Sequence, residues 1–146
     1  MKKNYYKRDP EKNYFLLPNE IFMLGLKAGE ILVYSYLLYC EDRKTYKCYP
    51  SYTTIGNAVD MSKNTVKKYV KGIKDKGLIY TEPTTVKLKD GRFRNGNLLY
   101  TIRPIEEAIE YYDRQQMKEI MKNSAIQRAQ KAIDDYHKKQ AKSSDI

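Results

Sequence analysis

One short stretch, Tyr52 to Tyr69, constrains the fold of this chain more than any other. Ile55, Val59, Met61, Val66 and Tyr69 are spaced as the inward faces of two short crossed helices, and Gly56 supplies the small residue where they must touch. The turn falls at Asp60. Such a turn needs one residue at positive φ, which Gly accepts best and Asp tolerates. Ser62 then occupies the N-cap position of the second helix, accepting from a backbone N–H near Asn64 or Thr65, and Ser51 caps the first. The blander alternative is two amphipathic helices of any small all-α protein, with lysines that only keep the surface wet.

What remains outward on the second helix is Lys63, Asn64, Lys67, Lys68 and Lys71. A basic, amide-bearing face on an apolar-backed helix suits contact with phosphates and base edges, as in a helix-turn-helix laid in the major groove of DNA. Ser62 and Thr65 at the start of that helix, and Tyr52 and Thr53 at the start of the preceding one, join the candidate contact residues.

The 146 residues allow one core of ordinary size plus an appendage. A formal net charge of +10 favours a polyanionic partner, nucleic acid first and an anionic membrane surface second. No apolar run reaches the ~20 residues of a membrane-spanning helix, and Met1-Lys2-Lys3 leads into no signal core, so a cytoplasmic protein is expected. Cys40 and Cys48 read as reduced thiols. With the single His137 far out in a charged tail, neither a tetrahedral metal site nor a Ser, His and Asp triad can be assembled, and there is no Gly-rich phosphate loop. The expectation is no enzyme, no catalytic residue, no cofactor and no metal.

Along the chain, residues 1–13 read as a basic disordered arm carrying Lys2, Lys3, Lys7 and Arg8. An apolar run, Tyr14 to Leu17, leads to Pro18 at the first turn of a short helix through Ile21 and Phe22. A long helix is predicted over about Ala28–Cys40, packing through Ala28, Ile31, Leu32, Ser35, Leu38 and Tyr39, with Tyr34 and Tyr36 at the margin of that stripe. Lys47-Cys48-Tyr49 reads as a short extended segment. The second reading helix continues to Lys76, and Gly77 is the expected left-handed stop before Leu78 and Ile79 resume in extended form.

Strands around Thr84–Lys89 and Asn97–Arg103 flank two Gly turn signals in Asp90–Gly96, predicting a hairpin in which Val86 and Leu88 form a half-buried face. Its basic residues, Arg92 and Arg94 at the tip with Lys87 and Lys89 behind, suit a wing lying along DNA; a solubilising turn is the plainer reading. From Pro104 the chain becomes one long charged helix to about Lys142. Ile105, Ile109 and Tyr112 form one seam and Ile126, Ala129, Ile133 and Tyr136 another, with Glu119, Lys122 and Asn123 breaking the register between them. Residues 143–146 read as a disordered tail.

Phe15-Leu16-Leu17-Pro18-Asn19, Cys48-Tyr49-Pro50-Ser51, Thr54-Ile55-Gly56, Met61-Ser62-Lys63-Asn64-Thr65-Val66 and Lys76-Gly77-Leu78-Ile79 together resemble the winged-helix domains of Gram-positive bacteria, their plasmids and phages. In particular they resemble the N-terminal domain of the plasmid replication initiator A family, over about residues 14–103. That resemblance implies DNA contact by Ser62, Lys63, Asn64, Thr65, Lys67 and Lys68. Two departures stand out: Lys27 replaces the Ser or Thr that commonly caps the first long helix, and the chain stops where a full initiator continues into a further domain.

The expected fold is mainly α with a small β-hairpin, a winged helix-turn-helix followed by a long C-terminal helix. The expected function is sequence-specific binding of double-stranded DNA, marking a replication origin or a transcriptional operator. The contact set is Tyr52, Thr53, Ser62, Lys63, Asn64, Thr65, Lys67, Lys68, Lys71, Lys87, Lys89, Arg92 and Arg94, with Asn64 reading an adenine edge. The C-terminal helix is expected to make a homodimer. The alternative is a winged-helix adaptor that binds other replication proteins through that helix; a membrane-surface protein would need bulkier apolar residues than Ala125, Ala129 and Ala132.

Overall fold

The computed structural model describes residues 12–144, so the basic residues expected in the arm before Lys12 lie outside the described part. A 3-10 turn, Asn19–Met23, leads to α1 (Ala28–Cys40), β1 (Lys47–Cys48), α2 (Tyr52–Val59), α3 (Lys63–Asp75), β2 (Ile79–Glu82), β3 (Thr85–Lys87), β4 (Phe93–Asn95), β5 (Leu99–Ile102) and α4 (Ile105–Ser143). The chain divides into two compact units, one ending at Ile109 and the other beginning at Glu110 within α4. The first unit is a winged helix-turn-helix, mainly α with a small antiparallel sheet. The second is the remainder of the long C-terminal helix.

Helix α1 packs with a different phase from the one its periodicity suggested. Val33, Tyr34, Leu37 and Leu38 are buried together with Glu30, whereas Ala28, Leu32 and Tyr39 are exposed and Ile31 and Ser35 only half-buried. Tyr34, expected at the margin, is in the core. The cause is compositional: Glu30 is the one charged residue of α1 and Ser35 bonds its hydroxyl back to Ile31 O, so hydrophobic spacing cannot choose a face. Glu30 is the pin. Its Oε1 accepts from the Lys27 N–H at 2.9 Å, which caps the helix without a Ser or Thr, and from Lys76 Nζ at 2.8 Å. Close helix approach completes the joint, since a Cβ on Gly72 would lie 2.5 Å from Glu30 Oε2 and one on Gly29 would collide with the Tyr69 ring.

The sheet order is β1-β5-β2, with Ile79 opposite Ile102 and Glu82 opposite Leu99. The hairpin therefore differs from the one expected. Thr84–Lys89 does not pair with Asn97–Arg103; β5 pairs with β2 and β1, while the wing is the shorter ladder β3–β4, with Val86 opposite Arg94. Pro83 has no N–H to give a continuous ladder, and three residues, Gly96 to Leu98, face two, Pro83 and Thr84, so a bulge separates the two ladders. At the tip Gly91 N–H bonds to Leu88 O at 3.0 Å and Leu88 N–H to Arg92 O at 2.7 Å, with Gly91 at φ 85°. This is a tight turn closed by a left-handed glycine. Val86 is exposed and Leu88 half-buried, so the wing has no buried face of the kind expected. Ile21, Ile55, Val66, Ile73, Leu78, Ile79 and Tyr100 join the α1 residues in the core.

Candidate nucleic-acid interface

The turn between α2 and α3 has the expected geometry. Asp60 sits at φ 56° and ψ 55°, and the Met61 N–H returns to Gly56 O at 2.9 Å. A Cβ on Gly56 would fall 2.3 Å from the Met61 carbonyl oxygen, so a larger residue there would force the turn open. Ile55 and Val66 are fully buried at the crossing, while Val59, Met61 and Tyr69 are half-buried around it. Ser51 Oγ accepts from Thr54 N–H at 3.0 Å and Ser62 Oγ from Thr65 N–H at 3.3 Å, fixing where each helix begins. Gly77, at φ 81°, ends α3: its N–H bonds to Lys74 O and that of Leu78 to Ile73 O.

With Val66, Val70 and Ile73 facing inward, α3 exposes Lys63, Asn64, Lys67, Lys68 and Lys71. Asn64, Lys67, Lys71 and Lys74 fall in one row at steps of three and four. Two of the candidate residues have local partners. Lys71 Nζ lies 3.2 Å from Asp75 Oδ2, an exposed pair that competes only weakly with phosphate. Thr65 is half-buried with its hydroxyl 2.9 Å from Ser62 Oγ, so both hydroxyls serve the cap.

A trough runs beside this row, formed by two depressions of about 710 and 370 Å³ that share Tyr52, Lys67, Pro83 and Leu98 in their lining. Asn64, Lys68, Lys71, Lys74 and Thr81 line the first; Ser51, Thr84, Asn95 and Asn97 line the second. Tyr52 is half-buried at the junction, its hydroxyl held protonated to higher pH by burial, while Thr53 is exposed on the first turn of α2. Asn97 Nδ2 donates to Tyr49 O at 3.3 Å, and Thr84 Oγ1 donates to Asn97 O, so the base of the wing is tied to the segment entering α2. Lys74, Thr81, Asn95 and Asn97 were absent from the sequence-derived set. Lys74 could have been found, being seven residues beyond Lys67; Thr81 lies in β2 opposite Tyr100, and Asn95 and Asn97 depend on the bulge.

The wing residues divide between two faces. Arg92 and Arg94 alternate onto one side with Val86, whereas Lys87 stands opposite Phe93 on the other. Arg92 is engaged: its guanidinium lies 2.6 Å from Asp90 Oδ2, and this hydrogen bonding holds the Asp90 carboxyl below the usual carboxylate range. Lys89 is exposed in the turn. Both cysteines are free, and burial raises the Cys48 thiol to about 12. Among the described residues no group of three His, Cys, Asp or Glu side chains could hold a metal, and no helix is long and apolar enough to cross a membrane.

Residues 24–79 match the model of a helix-turn-helix domain family. The match runs from just before α1 to the first residue of β2, taking in the whole crossed pair and leaving the wing and α4 outside it. No curated protein matches the chain. Among solved structures, a possible transcriptional regulator from Methanosarcina mazei Go1 is similar at 16% identity and a TM-score of 0.46, over 68% of this chain and 78% of that one. A probable transcriptional regulator from Pseudomonas aeruginosa is similar at 20% identity and a TM-score of 0.37, over 70% of this chain and 78% of the other.

Proposed function

We propose that this chain binds double-stranded DNA in a sequence-specific manner, with α3 in the major groove and the wing along the adjacent backbone, and that it marks an operator or a replication origin. The observation that carries the reading is the exposed row Asn64, Lys67, Lys71 and Lys74 on a helix whose start, turn and end are all fixed by local bonds. The helix-turn-helix family match supports it. Lys63, Lys67, Lys68, Lys71, Lys89, Arg92 and Arg94 supply salt-dependent attraction to phosphate, Lys87 on the opposite face of the wing adds little, and Asn64 offers a bidentate amide to an adenine edge. Tyr52, Thr53, Ser62 and Thr65 border the contact. No covalent chemistry is needed for this role.

The unit from Glu110 onward is proposed to pair two copies. Met117, Ile120 and Met121 are exposed where the sequence suggested only a break in register, and Ile126, Ile133 and Tyr136 are exposed farther along. A second copy would cover such residues and let two recognition helices act together. Selection of bound sites from random duplex DNA with the full chain tests both statements. A defined motif with two-fold symmetry is expected; absence of any motif removes sequence specificity, and a single asymmetric half-site assigns α4 to a different protein partner, as in an adaptor.

A further inference from the structure

A second concavity shares no lining residue with the trough. It has a volume of about 770 Å³ and is walled by Leu16, Leu17, Leu38, Ile102, Pro104 and Ile105. Three segments meet there: the run before the 3-10 turn, the C-terminal part of α1, and the junction of β5 with α4. Its size falls in the roughly 300–1,000 Å³ range of small-molecule sites, and a mainly apolar wall with few polar groups is the usual composition of one.

The polar groups of this cavity are unevenly matched. Arg103 lines it, but its Nε lies 2.5 Å from Glu107 Oε2 and its guanidinium stacks 4.2 Å from the Tyr80 ring centroid, so its charge is already engaged. Glu20 and Glu41 contribute carboxylates. Glu41 is held in place by its N–H, which donates to Leu37 O at 2.9 Å, yet its Oε2 is buried with no hydrogen-bond partner among the described residues. An acceptor left in that condition bears its desolvation cost uncompensated, and a donor cation restores the balance. Burial raises the Glu41 pKa, with Arg43 acting in the opposite direction; burial and the Glu41 charge together raise Tyr34 to about 12, so that hydroxyl stays neutral and offers no positive charge.

We propose that this cavity binds a small organic cation with an apolar body, an aryl- or alkylammonium, whose ammonium meets the Glu41 carboxylate while its hydrocarbon lies between Leu38 and Ile102. An anionic ligand has no free basic group to meet among the lining residues. A chain of net charge +10 does not attract cations as a whole, so recognition rests on the local carboxylates and on apolar burial. A bound ligand touches all three segments and ties the end of α1 to the start of α4.

The test titrates the full-length, methyl-labelled protein with 4-phenylbutylamine and, in parallel, with neutral 4-phenylbutanol. The amine is expected to bind at least tenfold more tightly and to move the methyl resonances of Leu38 and Ile102 while those of Ile126 and Ile133 stay in place. Glu41→Gln should abolish the preference for the amine and leave the alcohol unchanged. Leu16→Ala, at a side chain 79% exposed and so tolerable for folding, should weaken both. Equal affinities, shifts confined to other sites, a preference that survives Glu41→Gln, or no saturable amine binding at millimolar concentration would each overturn the proposal. If Glu41→Gln does not fold, the amine–alcohol comparison on the unaltered chain and the Leu16→Ala result decide it. No DNA is involved, so the outcome is independent of the DNA-binding reading.

Discussion

Helix α3 and the β3–β4 wing are both basic and both exposed to solvent, but they are held in place by different means. Three buried side chains, two capped ends and the Glu30–Lys76 bridge set the position and rotation of α3. The wing has no buried side chain; its shape comes from six paired residues, a glycine turn and the bonds of Thr84 and Asn97 at its base. Base reading needs atoms held at fixed distances, whereas phosphate attraction tolerates movement. The rigid element is thus suited to specificity and the loosely held one to affinity.

The largest expected effect concerns the anchoring of α3. Lys76→Ala leaves the Glu30 carboxylate buried beside Gly72 without its cation, and breaking such a pair costs about 3 kcal/mol, toward the lower end of the range because the Lys76 side chain is 31% exposed. Urea unfolding measures it. A loss under about 1 kcal/mol would mean that the bridge does not orient α3 and that the contrast in anchoring is overstated.

Within α3, positioning and reading contacts should separate. Asn64→Ala is expected to cost ~1–3 kcal/mol on the preferred site and little on random duplex, whereas Lys67→Ala should weaken both alike and flatten the plot of log affinity against log salt by about 0.9. Equal losses for Asn64→Ala on both duplexes would make it a backbone contact. Lys74→Ala sharpens the boundary of the row: a loss about as large as that of Lys67→Ala is expected if the last turn of α3 lies on the duplex, and an unchanged affinity ends the contact row before Lys74.

The same contrast explains what could be read from the sequence. The α2–α3 pair was legible because its signals are local: Ser51 and Ser62 cap within three residues, Asp60 turns, Gly56 makes room, and the polar face of α3 fixes its phase. Helix α1 carried no such phase marker, because its one charged residue is buried and its partner, Lys76, lies 46 residues away. The pairing of β5 with β2 rather than with Thr84–Lys89 was hidden by Pro83 and the bulge, which alter register without altering strand composition. Lining by Asn95 and Asn97 followed from that register and could not be anticipated. Met117, Ile120 and Met121 were overlooked because the charged residues between them break a heptad without removing apolar area.

The smallest effects belong to the wing, and they distinguish its residues from one another. Arg94 has no acidic partner among the described residues, whereas Arg92 would first have to release Asp90 or share its charge with it. Arg94→Ala should therefore reduce affinity more than Arg92→Ala, with neither changing the melting temperature, since both side chains are exposed. Asp90→Asn should raise affinity slightly by freeing Arg92 and removing a negative charge near phosphate. Because Lys87 lies on the opposite face, beside Phe93, a wing that lies flat on the backbone through Arg94 cannot use Lys87 equally, and Lys87→Ala should be nearly silent. Fluorescence anisotropy with one labelled duplex at low salt ranks the four variants. A loss from Lys87→Ala greater than that from Arg94→Ala would turn the wing over, placing Phe93 rather than Val86 toward the DNA, and would make an apolar contact with the groove part of the wing's role.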